Sequence, residues 1–181
     1  DLRMSRGLGD VYKRQFMNSE KLKKHMRCLF TYGGMYLVCN SNLLYHASVP
    51  LNEDGSFKHV NICGKEYWGK NLLDKIDQLI RTAYFDEDDE EEKRFAMDYI
   101  WYLWCGPDAP SFDKDKMATF ERYFIADKSL HKETKGYYYA LRNKEEICDR
   151  ILEEFGVTGQ HTHIINGHVP VKTIKGEQPM I

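Results

Sequence analysis

The stretch HTHIINGHVPV, His161 to Val171, limits the fold more than any other part of this chain. Its apolar, β-branched centre suits a strand, and it ends in Gly-His. Pro170 cannot donate to a β-ladder and stiffens the exit. What precedes it matters as much. Asn143 with Glu146 three residues on forms a capping-box pattern, and Ile147, Ile151, Leu152 and Phe155 then line one helix face before Gly156 ends it. A capped helix stepping straight into an apolar strand is the unit of an α/β fold. The sequence therefore predicts a buried strand that presents His168 at a sheet edge through a glycine turn.

The rest of the chain can support such a domain. Of 181 residues, 42% are hydrophobic, enough for one sizeable core. No apolar run reaches the ~20 residues needed to span a bilayer, and no segment has a signal peptide's layout. Five cysteines at wide spacings, with no CxxC, fit reduced thiols in a cytoplasm better than a disulfide framework. The net charge of −2 hides an unbroken run of seven acids, Asp86 to Glu92, without which the balance turns positive. That run reads as a solvated loop and the acidic first turn of the next helix. The mildly basic remainder tolerates an anionic substrate without demanding nucleic acid.

In order, residues 1–15 show no helical or strand period. They read as a non-native scar or a disordered tail, and native-looking sequence begins near Phe16. Ser19 is placed to cap a helix over 20–30, with Leu22, His25, Met26, Leu29 and Phe30 on one face. His25 is therefore expected to be packed. Met35 to Cys39 and Leu43 to His46 read as paired strands around Asn40-Ser41-Asn42. His46 thus ends a strand, as His168 does, and small residues and Pro50 follow it. Val60 to Tyr67 suggests a second hairpin, and residues 70–85 the clearest amphipathic helix. Phe95 to Trp104, FAMDYIWYLW, fits a helix or a buried strand equally. It runs into the stiff Cys105 to Pro110 loop. Lys116 and Arg122 are candidates for phosphate contacts, the guanidinium more so because its fork can hold two oxygens. The chain ends at Gln178 to Ile181 with no closing helix or cap.

Strand ends on one sheet edge can converge, so His46 and His168 could bind one metal ion. The other histidines are weaker candidates. His59 falls in a hairpin, His131 in a charged loop, and His161 and His163 at the start of a strand.

Four longer strings carry a family resemblance: LLYHASVPLNEDGSFK, DYIWYLWCGPDAP, KDKMATFERYFIADKSLHKE and HIINGHVPVK. Together they resemble class III fructose-1,6-bisphosphatase, of the calcineurin-like metallophosphoesterases, from Phe16 to Ile181. The resemblance implies an α/β/β/α sandwich with a helical insertion and a dinuclear manganese centre. It implies metal ligation by His46 and His168, hydrolysis of the 1-phosphate of fructose 1,6-bisphosphate in gluconeogenesis, and a cytoplasmic setting. A position two residues after His168, a ligand in some members of the superfamily, is here Pro170. The early motifs GDxHG, GDxxDRG and GNHE, which supply the carboxylates, the Asn ligand and the acid histidine, are absent. Residues 16–181 thus resemble the C-terminal portion of such an enzyme, cut at both ends, with no catalytic acid of their own and inactive alone. The expected partners are the sugar bisphosphate and the missing N-terminal half of the domain, with a homo-oligomer left open, no nucleic acid and no membrane. Another metallophosphoesterase activity, on a phosphoprotein or dinucleoside polyphosphate, or a non-catalytic interaction module, stays open beside this reading.

Overall fold

A computed structural model of the chain describes residues 2–176 and 178. The expected uncapped end lies, from Pro179 on, outside the described residues. The chain divides into two compact units, one ending at Gly34 and one beginning at Met35.

The first unit is two helices, α1 (Leu2–Met17) and α2 (Glu20–Tyr32). A tail without regular structure is thus not observed. Val11, Tyr12 and Phe16 recur at helical spacing, a pattern masked by the glycines and charges between them. α2 starts where the sequence places it: the Ser19 hydroxyl accepts from the Leu22 amide at 3.3 Å. No residue of α2 is buried, and His25 is exposed rather than packed.

The second unit mixes helices and small sheets around two hydrophobic clusters, an α/β arrangement. β1 (Tyr36–Cys39) and β2 (Asn42–Tyr45) form an antiparallel hairpin. Its two-residue turn puts Asn40 and Ser41 at positive φ, 49° and 62°, the backbone that matches strand twist. β5 (His163–Asn166) then adds parallel to β2, with Leu43 opposite Ile164 and Tyr45 opposite Asn166. Between these neighbouring strands runs the long excursion from His46 to Thr162. It holds a second hairpin, β3 (Val60–Ile62) with β4 (Lys65–Tyr67), and the helices α3 (Gly69–Phe85), α4 (Glu90–Cys105), α5 (Thr119–Phe124), α6 (Tyr138–Leu141) and α7 (Glu145–Glu154).

One cluster packs α7 onto the three-stranded sheet, where Leu43 and Tyr45 meet Ile147, Ile151, Leu152 and Phe155. The other joins α3 and α4 with the β3–β4 hairpin, around Leu72, Ile76, Ala96 and Leu103. Each large aliphatic residue buried there contributes about 1.5–3 kcal/mol. The aromatic run resolves as the helix α4. Only Ala96, Tyr99 and Leu103 are buried, a helical spacing. Asp89 caps α4 by accepting from the Glu91 and Glu92 amides, so the acidic run is a cap and first turn.

Two other expectations change. α7 begins after Lys144, with no side-chain cap, so Asn143 does not cap it. Glu145 and Glu146 in the first turn favour the positive helix end without one. Its C-terminus is as expected. Gly156 adopts φ 71°, its amide donates to Glu153 and that of Val157 to Leu152, closing a Schellman turn. β5 is not a buried strand but a sheet edge, because among the described residues it pairs with β2 alone. Leu37, Leu44 and Ile165 share one face by register, and Leu37 and Ile165 are 58% and 51% exposed. The opposite face carries α7.

Inside the sheet–α7 cluster the hydroxyls of Tyr45 and Tyr138 lie 2.6 Å apart, both buried. Burial raises the pKa of both phenols, so each stays neutral and the pair satisfies itself. Tyr138→Phe should cost about 1–3 kcal/mol, because it leaves the Tyr45 hydroxyl buried without a partner. Tyr45→Phe with Tyr138→Phe should cost less than the two single changes added. A double-mutant cycle by urea denaturation measures this; strict additivity would remove the coupling.

Candidate metal centre

His46 immediately follows β2, and His168 lies two residues beyond β5. The parallel pairing of these strands is what brings the two together. The Gly167 amide extends the ladder by donating to the His46 carbonyl at 3.0 Å. His46 Nε2 and His168 Nδ1 then stand 3.1 Å apart on the exposed side. Their rings meet nearly edge to face, with centroids 5.0 Å apart.

The backbone behind each histidine is fixed in a different way. Ala47, Ser48, Val49 and Leu51 are buried, unusual for a connection after a strand. The Ala47 carbonyl accepts from Asn166 Nδ2 at 2.8 Å and from the Tyr139 hydroxyl at 3.3 Å. The Ser48 amide and hydroxyl both donate to the Pro110 carbonyl, each at 3.1 Å. The stiff loop after α4 therefore supports His46 from behind. Asp113, also buried, accepts from the Tyr139 amide at 3.3 Å, and burial raises its pKa.

His168 is held by strain. Its φ is 64°, and the Val169 amide donates to the Gly167 carbonyl at 2.7 Å, a three-residue turn centred on His168. A side chain at that φ costs about 1–2 kcal/mol. The expected glycine turn is thus displaced by one residue. Gly167 has no positive φ, and a Cβ there would only touch the His46 carbonyl at 3.6 Å.

The donor set suits a shared metal. Two imidazole nitrogens bound at roughly 2.1 Å, at angles of about 90–110°, stand roughly 3.0–3.4 Å apart. Burial first, then the His46 ring and the Lys114 ammonium, push the His168 pKa below its ordinary value. The imidazole is thereby kept in the neutral form that ligates. Among the described residues no group of three or more His, Cys, Asp or Glu gathers to hold a metal. The pair alone therefore offers a metal two donors.

A cleft of about 320 Å³ opens beside the pair. α4 lines it with Ile100, Leu103 and Trp104, and the following loop with Ser111, Phe112 and Met117.

A model of the Firmicute fructose-1,6-bisphosphatase family matches residues 6–181. The chain belongs to that family. It is 82% identical over 165 residues to a class 3 fructose-1,6-bisphosphatase of Bacteroides thetaiotaomicron, covering 91% of this chain and 25% of the relative. It is 68% identical over 167 residues to that of Phocaeicola vulgatus, covering 92% and 25%. With that of Clostridium botulinum strain Kyoto it shares 54% over 175 residues, covering 97% and 26%. The chain thus spans about a quarter of the length of the curated relatives it matches. No solved structure matches it.

Of the family-member residues singled out in the sequence, the two histidines come together and the two cations do not join them. Lys116 Nζ donates to the Leu130 carbonyl at 2.9 Å, and Arg122 pairs with Glu133 at 3.3 Å. Neither lines the cleft. Both serve the α5 region, where Glu133 also accepts from Lys114 at 2.9 Å and from the Ala118 amide at 3.0 Å. Sequence reasoning missed the clamp on Ala47, because Tyr139 and Asn166 carry no local sign of a partner far away in the chain. It also missed Lys114, the cation whose charge reaches His168.

Two outcomes follow from this geometry. At position 168 glycine should be more stable than alanine by about 1 kcal/mol, because only glycine is unstrained at that φ. Melting temperatures of His168→Gly and His168→Ala decide it, and an alanine variant at least as stable would remove the strain. Glu133, 12% exposed, has its pKa lowered first by Lys114, then by the Ala118 amide, with the charges of Lys114 and Arg122 adding. A lowered folded pKa gives stability that is present above the unfolded carboxylate pKa and lost as pH falls through the folded one. Glu133→Gln should cost about 1–2 kcal/mol at pH 7. That cost should shrink once pH drops below the usual carboxylate range. Urea midpoints of both proteins at pH 7 and pH 3 measure it.

Proposed function

We propose that this chain supplies the two-imidazole half of a dinuclear manganese centre in an enzyme that hydrolyses the 1-phosphate of fructose 1,6-bisphosphate. The observation that carries the proposal is the 3.1 Å approach of His46 Nε2 to His168 Nδ1, with His168 in a strained turn. Strain of that kind gathers at functional positions, since ordinary packing selects against it. The family and the names of its relatives point the same way for the substrate. A bound metal pair would activate water and neutralise phosphoryl charge. This chain's own part is to hold two imidazole nitrogens at a fixed separation. It also walls one side of the adjoining cleft.

The fold proposal is a calcineurin-like α/β/β/α sandwich completed by chain outside these residues. The exposed Leu37 and Ile165 on one sheet face support it, because an apolar sheet face needs a second layer. The remaining metal ligands would come from that same chain, since none gathers here among the described residues. In this reading the enzyme works in the cytoplasm, where the free cysteines stay reduced. No helix among the described residues is long and apolar enough to cross a membrane.

The 181 residues alone should bind Mn²⁺ weakly, by electron paramagnetic resonance, and should not hydrolyse fructose 1,6-bisphosphate. In the full-length enzyme His46→Ala and His168→Ala should each lower manganese-dependent activity by about 100-fold or more and weaken Mn²⁺ binding. Saturable activity of the short chain, or full activity of both variants, would refute the proposal.

A further inference from the structure

The cleft beside the two histidines has a wall that the metal chemistry does not use. Its α4 side is apolar, and its most accessible large ring is Trp104, 43% exposed. Trp104 is not a loose surface residue. Trp101 lies 5.1 Å from it and Phe120 meets it edge to face at 5.3 Å. Trp101 and Phe120 are themselves stacked at 6.0 Å. Three rings from α4 and α5 thus brace one another and fix the Trp104 indole at the cleft while leaving it open to solvent.

Leaving so large an apolar ring exposed forgoes the stabilisation that burial would give. Sugar rings carry patches of C–H bonds that pack on aromatic faces, while their phosphates need charge. The cleft is lined both by the two imidazoles and by apolar residues, with Ser111 as its other polar residue. With a cation held by the histidines, it would suit a ligand with an anionic group at that cation and a carbon-bearing body against the indole.

We infer that Trp104 is a specificity-determining residue that packs against the carbon face of the sugar, braced by Trp101 and Phe120. This rests on the assignment of fructose 1,6-bisphosphate as substrate and goes one step further. Trp104 selects a sugar phosphate over a small phosphate ester, and contributes to binding rather than to the chemical step. Phenylalanine keeps a ring face at that position; alanine does not.

The test uses the full-length, manganese-loaded enzyme with two substrates, fructose 1,6-bisphosphate and methyl phosphate, which has no ring to pack. Trp104→Ala should raise KM for the sugar bisphosphate about tenfold, the size of losing one apolar ring face, with kcat within about twofold. Its kcat/KM for methyl phosphate should stay unchanged, and Trp104→Phe should recover most of the sugar KM. A parallel fall on both substrates would mean a structural role and overturn the inference, as would no change on either. A wild-type enzyme that hydrolyses methyl phosphate but not the sugar bisphosphate would instead remove the substrate assignment, and this inference with it. A loss of the variants' selectivity effect alone leaves the assignment standing.

Discussion

The pairing of buried backbone in the segment after β2 is the constraint on which the rest of the second unit depends. A loop normally runs over the surface, because its amides and carbonyls need water. Here the residues after His46 turn inward, and Ala47, Ser48, Val49 and Leu51 are almost wholly covered. Every polar group taken in must find a protein partner or cost about 1–3 kcal/mol. The partners arrive from three remote places: Pro110 after α4, Tyr139 in α6 and Asn166 at the end of β5. The same hydrogen bonds that satisfy the loop tie the α4 excursion and the last strand to one point, and His46 is the residue at that point.

His168 is positioned by the opposite strategy. Where His46 stands on a satisfied, buried support, His168 sits in a turn that disfavours any side chain, on an exposed edge. Glycine lies next to it but not at the strained position. A sequence shaped for stability would place the glycine one residue later. The order Gly-His keeps an imidazole at the strained position, aimed at its partner 3.1 Å away. Stability is given up locally for the direction of one side chain, a trade expected where a group must meet another rather than pack.

Much of this was legible in the sequence where the signal is local. The Ser19 cap, the Asn40-Ser41 turn, the apolar stripe of α3 and the Gly156 stop each depend on residues within one or two turns of one another, and each appears as read. The convergence of His46 and His168 was legible only as a possibility, because it needs β2 and β5 to pair in parallel across the whole excursion. FAMDYIWYLW stayed undecided since aromatic residues fall on every side of α4. Only the structure shows that Trp101 and Trp104 face outward to Phe120 while Tyr99 and Leu103 face in. Arg122 looked like a phosphate contact because a lone cation in a sequence shows no partner. Its carboxylate, Glu133, belongs to a different loop. Asn143 looked like a cap for the reverse reason: the local pattern was present, but the helix began one residue later, where two glutamates serve the same end.

Strain and metal binding are two sides of one energetic argument. In the short chain the His168 turn costs about 1–2 kcal/mol, set against the Val169–Gly167 hydrogen bond and the contact with His46. A shared ion that binds only the converged pair would add its binding free energy to the folded state, and so stabilise the turn it needs. Two imidazoles alone provide too few donors for tight binding, so in the proposed enzyme most of that energy would come from further ligands. In the proposed enzyme the exposed Leu37 and Ile165 and the missing ligands are not separate gaps. In the proposed sandwich, the layer that would cover Leu37 and Ile165 would also bring the remaining ligands. Covering the face, binding the ion and relieving the cost at His168 would then happen as one cooperative step.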